Sequence, residues 1–259
     1  MKKLSLISTL CLFLVAAGLG SCNKDDASGT ARLNVHLTDA PGNYDAVYID
    51  VQKIEIHSDI SGWVTITPSH PGIYNLLDFS NGMDTLLCHV DLPAGKISQM
   101  RLVLGENNSV VVDGVAKPLA TPSAQQSGLK FNIHQDLAPN GSYDVWIDFD
   151  AGRSIVETGS GSYSLKPVVR AYTELTNGKI KGYVLPPAAD AVVYAINGVD
   201  TFSAIPEADG YFMFCGLPEG TYSLWFDALD VTGYEDMTMP DVSVTFGTIN
   251  DVGTITLVP

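Results

Sequence analysis

From Thr30 onward the apolar residues recur at every second position. Leu33, Val35 and Leu37 are separated by Asn34 and His36, and Val47, Ile49 and Val51 continue in the same style. A period of two predicts half-buried β-strands. The apolar set then moves to Ile54 and Ile56. That change of parity inside one extended run predicts a β-bulge near Gln52 and Lys53, because one extra residue returns the apolar set to the core face. Further strands are predicted at 63–67, 99–104, 109–112, 129–133, 143–149 and 165–172. They are punctuated by the turn signals Pro41-Gly42-Asn43, Pro93-Ala94-Gly95, Asp113-Gly114 and Pro139-Asn140-Gly141. Short helices are expected only at 83–88 and 153–157. The pattern is that of an all-β protein built from two consecutive β-sandwiches, since 238 residues beyond the first 21 exceed the usual single core.

The expected domain plan places one β-sandwich at 31–175 and a second at 176–259. The second block carries Lys179-Ile180-Lys181-Gly182-Tyr183-Val184, then Asp209-Gly210-Tyr211-Phe212-Met213-Phe214, then Gly216-Leu217-Pro218-Glu219-Gly220-Thr221-Tyr222. Asp209-Gly210 reads as a tight hairpin turn, with Phe212 and Phe214 facing one core. In order and spacing these residues resemble the carboxypeptidase regulatory-like, transthyretin-type β-sandwich, over about 80 residues to Pro259. That family usually has no catalytic residues and is grouped with carbohydrate-binding-like folds, so the resemblance implies sugar binding without any spacing that shows it.

The first block, from about 31 to 172, is also similar to a known family. Thr38-Asp39-Ala40-Pro41-Gly42, Leu92-Pro93-Ala94-Gly95-Lys96-Ile97, Ser127-Gly128-Leu129-Lys130 and Asp148-Phe149-Asp150-Ala151 resemble an uncharacterised domain of bacterial envelope lipoproteins. The resemblance implies architecture and location, with no mechanism attached.

The N-terminus reads as an address. Lys2 and Lys3 precede a short apolar run, and Leu19-Gly20-Ser21-Cys22 resembles the bacterial lipobox. The expectation is a signal peptide over 1–21, cut after Leu19, Gly20 and Ser21 are recognised, with lipid on Cys22 and a flexible tether over 22–30. Asp25 and Asp26 just after Lys24 are similar to the surface-export signals of Bacteroidetes lipoproteins, so an outer-membrane, surface-exposed protein is expected.

Removing Lys2 and Lys3 leaves 12 Lys+Arg against 29 Asp+Glu, a formal charge of −17. Such a field repels nucleic acid, which is excluded as a partner. The expected partners are the membrane, through the N-terminal lipid, and a glycan or another envelope protein. Cys88 and Cys215 remain after maturation, either bridged or as two separate thiols.

No hydrolase elbow, zinc-binding helix, phosphate loop or dinucleotide turn is present, Gly159-Ser160-Gly161 reads as a loop, and the five histidines lack metal-ligand spacing. No cofactor, metal or catalytic residue is expected. The candidate ligand face lies on the strand at 143–149. If Tyr143, Val145, Ile147 and Phe149 fill the core, Asp144, Trp146, Asp148 and Asp150 share the other side. A Trp among carboxylates can stack a sugar ring or border a Ca²⁺ site. The alternative is cross-strand ion pairing with Lys166 and Arg170. An antiparallel register placing Asp148 opposite Lys166 and Asp144 opposite Arg170 would satisfy both faces. The loop at 121–130, rich in Ser, Gln and Gly, is a second candidate. Function is read as a non-enzymatic, lipid-anchored surface module that binds or scaffolds, with glycan as the leading ligand. The alternatives are an envelope enzyme using paired carboxylates and a structural subunit of a surface assembly.

Overall fold

The computed structural model describes residues 29–121, 127–159, 161–198 and 200–259. Two hydrophobic cores organise them, one running from Ala31 to Leu165 and one from Ile180 to Leu257. The expected all-β sandwich architecture is what forms. The lipobox Leu19, Gly20, Ser21 and Cys22 and the tether up to Ser28 lie outside the described residues, as does 122–126 of the second candidate loop.

The first core lies between two sheets. One has the order β13 (Val169–Thr173), β10 (Ser142–Asp150), β1 (Thr30–Ala40), β5 (Thr85–Pro93), in which β1 and β10 run parallel. The other centres on β2 (Ala46–Ser58), which pairs with β6 (Gly95–Leu104), β7 (Ser109–Val112), β3 (Gly62–Ile66) and β4 (Gly72–Asn75). It extends through β9 (Leu129–Leu137) at one edge and through β8 (Val115–Ala120), β12 (Tyr163–Leu165) and β11 (Ile155–Glu157) at the other. The alternation of Leu33, Val35 and Leu37 with polar residues is realised as complete burial of the three. The predicted bulge in β2 is present, with the β2–β6 register shifting between Val51 and Lys53.

Both helix expectations need correction. Residues 85–88 lie in β5, where a register shift opposite Val35 and His36 buries Leu87 and Cys88 consecutively and so hides the period of two. At 153–157 only the end of a four-residue helix, α1 (Ala151–Ser154), is helical, and Ile155–Glu157 is strand. The run at 165–172 is also not one strand. Pro167 lacks a donor, and around it the chain leaves one sheet for the other, with Lys166 and Val168 donating instead to the carbonyl and hydroxyl oxygens of Ser154.

The second core is a smaller sandwich. Its sheets are β17 (Tyr211–Leu217), β14 (Gly178–Leu185), β20 (Ile249–Thr256), and β16 (Asp200–Ala204), β15 (Val192–Asn197), β18 (Gly220–Asp227), β19 (Met237–Val244). Phe212 and Phe214 face its core as expected. Asp209-Gly210 does form a tight turn, closed by Gly210 N donating to Glu207 O. However, β16 and β17 belong to opposite sheets, so the turn carries the chain across the sandwich and is not a hairpin within one sheet. Cys88 and Cys215 are free thiols, one packed in the first core and one outside the second.

Candidate functional site

The sequence-predicted face assembles on β10 and then meets the second core. Val145, Ile147 and Phe149 are fully buried inside the first core, which turns Asp144, Trp146, Asp148 and Asp150 to the opposite side. β13 is the antiparallel neighbour, but its register is four residues from the expected one: Asp148 lies opposite Arg170 and Trp146 opposite Tyr172. The sheet change at Pro167 leaves only Val169 onward to pair with β10. A shift of four is even, so every side chain stays on its expected face.

Each of the four residues is engaged. Asp148, 3% exposed, accepts from Nε and Nη2 of Arg170, whose guanidinium also lies 4.2 Å from the ring centroid of Phe202 in the second core. Trp146 stacks between His36 at 5.2 Å and Tyr172 at 5.6 Å and donates to Asp84 Oδ2 at 2.9 Å. Asp144 accepts from Asn34 Nδ2 and faces His36 Nε2 at 3.2 Å. Asp150 caps α1 by accepting from Arg153 N at 2.9 Å, and burial pushes its carboxyl up to about 6. Lys166, the expected partner of Asp148, takes no part.

Across this face runs a seam between the two cores. Asn81 donates to Ile205 O and accepts from Met213 N, Arg153 Nη1 donates to Thr201 O, and Ser203 Oγ approaches Pro41 O at 3.4 Å. A cavity of about 20 Å³, room for one water, is enclosed between Thr38, Asp148, Arg170, Phe202 and Cys215. Burial pushes the Cys215 thiol up to about 11, the wrong direction for a nucleophile. Among the described residues no three His, Cys, Asp or Glu side chains are grouped to hold a metal ion.

Two of the quoted motifs of the first block, Thr38 to Gly42 and Asp148 to Ala151, meet in the same region. Asp39 Oδ1 accepts from Ala151 N at 3.0 Å, and Gly42 packs so tightly on Gly152 that a Cβ would sit 2.7 Å from its Cα. The Thr38-to-Gly42 motif thereby stitches the end of β1 to the exit of β10. Asp39 is fully buried, its Oδ2 meets no donor among the described residues, and burial raises its carboxyl well above the usual range.

A sequence profile for a domain of unknown function, DUF4382, matches residues 30–167, more than half of the chain. The chain belongs to the DUF4382 family. The DUF4382 region therefore contains the whole first core up to Leu165, including the β10 face, while Arg170 and Tyr172 follow it. No curated protein matches. Among solved structures, similarity is found to a cohesin–X–dockerin complex of Acetivibrio cellulolyticus, at 23% identity over 30% of this chain and 56% of that one, with a TM-score of 0.26. The TIE protein of Bacillus anthracis is 13% identical over 88% of this chain and 34% of its own, with a TM-score of 0.24. A minor pilin of Streptococcus agalactiae is 10% identical over 87% and 96%, also with a TM-score of 0.24. The DUF4382 chain thus spans about half and one third of the first two.

Sequence reasoning missed Tyr44, Arg153 and the Tyr194–Trp225 pair. Tyr194 and Trp225 are cross-strand partners on β15 and β18, stacked with centroids 5.1 Å apart on the outer side of their sheet. The signal was available: Val193, Ala195, Leu224 and Phe226 are all apolar, and alternation turns the two aromatics between them outward.

Proposed function

We propose that this protein is a non-enzymatic, lipid-anchored surface module that binds or scaffolds, with glycan as its leading ligand class. The observation that supports the non-enzymatic part of the reading is the engagement of the β10 carboxylates, Asp148 held by Arg170 and Asp150 by the start of α1; the glycan class rests on the resemblance of the second block to carbohydrate-binding-like folds and not on this face. Paired acids for glycosidic chemistry need one proton donor and one free carboxylate flanking a cleft, and these two are buried, 3% and 1% exposed. Two domains are part of this reading, with the boundary at 173–178, the second being a carboxypeptidase regulatory-like sandwich. Limited proteolysis at that boundary should release an N-terminal fragment that melts cooperatively by itself.

A glycan array run beside hydrolysis assays on the same glycans tests the function. Binding without turnover is expected. Turnover would replace the reading with the enzyme, and silence in both with a purely structural subunit. The anchor is tested separately by mass spectrometry: the wild-type chain should carry an acyl group and Cys22→Ala should lack it. An unacylated wild-type chain would remove the lipid from the proposal.

A further inference from the structure

Between the loop after β1 and the outer side of β15 and β16 lies an open groove of about 320 Å³, within the range of small-ligand sites and located, as such sites often are, where two cores meet. One wall is Tyr194, which has Trp225 stacked on it and Ser203 as its cross-strand partner on β16. The opposite wall is Asn43 and Tyr44. Gly42 and Gly152 also line the groove; Gly42 is buried against Gly152 and the Tyr44 ring, while Gly152 is exposed.

The charge of this groove departs from that of the chain. With 29 Asp+Glu against 14 Lys+Arg overall, an average surface groove would carry carboxylates, yet none of the lining side chains is acidic and the one charged group is Arg153. Its side chain is 50% exposed. Nη1 is committed to Thr201 O and lies 3.7 Å from Asp150 Oδ2, while Nε and Nη2 have no acceptor among the described residues. A guanidinium with two unused donor nitrogens recognises a carboxylate in a way that a lone ammonium does not. An aromatic plane beside it takes the C–H face of a ring.

We propose that this junction groove is a binding site for an acidic saccharide, a uronic-acid sugar whose ring lies on Tyr194 and whose carboxylate pairs with Arg153. The proposal rests on the glycan reading above and narrows it to one site and one class. Titration calorimetry of the full chain with oligogalacturonate, neutral galacto-oligosaccharide and an acidic peptide tests it. Oligogalacturonate should bind at least about tenfold more tightly than the other two, weaken with added salt, and lose about tenfold or more in Tyr194→Ala and in Arg153→Gln. Tyr194→Phe keeps the ring and should retain binding, which separates a lost platform from a misfolded chain. Equal binding of the neutral sugar, or binding indifferent to both variants, overturns this site and class while leaving the glycan reading intact. Peptide binding as tight and as dependent on Arg153 replaces the saccharide with a polypeptide. An array silent to every glycan sinks both the inference and the reading beneath it.

Discussion

The outer face of β10 and the outer face of β15 and β18 are made of similar material, aromatic rings beside polar groups on a four-stranded sheet, and they meet different fates. On β10, Trp146 is closed between His36 and Tyr172, and Asp148 is buried against Arg170. On β15 and β18, Tyr194 borders an open groove and Trp225 stacks on it from outside that groove. The difference lies in which sheet the other core covers. Residue chemistry nominates a face for recognition, and packing decides whether it serves a ligand or the protein itself.

The covered face should respond most to being broken. Arg170→Ala leaves Asp148 buried without its cation, which should cost about 3 kcal/mol in a denaturant melt. A change below about 1 kcal/mol would mean that water reaches Asp148 and that the seam is looser than drawn. Acidity should act on the same region. Asp39 and Asp150 are both raised by burial, Asp150 to about 6. For a carboxyl whose folded value is raised, stability is fully present below the unfolded value near 4 and is lost as pH rises through the folded value. Asp150 alone should therefore make the protein about 2–3 kcal/mol less stable at pH 8 than at pH 4. Asp150→Asn should flatten that slope, and an unchanged slope would assign the titration elsewhere.

The open face should barely matter to folding. Trp225→Ala removes one stack and an exposed contact to Asp236, so melts should shift by about 1 kcal/mol. A loss of 3 kcal/mol or more would make this pair part of the core and erase the contrast. Smallest of all, added reductant should leave the melt unchanged, because Cys88 and Cys215 are free and packed in separate places.

Much of the fold was legible because strand alternation is local. Leu33 to Leu37, the bulge after Val51, and the core-facing Phe212 and Phe214 follow from period and parity. The faces of β10 were legible for the same reason, and they survived a four-residue error in register. The errors at 83–88 and around Pro167 share one cause. A bulge at Leu87 and a strand that changes sheets each depend on the partner strand, which no local pattern records.

The chain by itself determined which residues alternate, where turns interrupt them, the family motifs of the first block and the large negative charge. These are properties of neighbours in sequence, set by backbone geometry and side-chain type. Only the tertiary structure decided that Arg170 and not Lys166 holds Asp148, that this pair is buried beside the second core, and that Arg153 and Tyr194 border one groove. Arg153 and Tyr194 are 41 positions apart in the chain, and their meeting depends on how the two cores dock. That docking is fixed by contacts such as Asn81 with Ile205 and Arg170 with Phe202, whose partners are brought together by the packing of whole sheets.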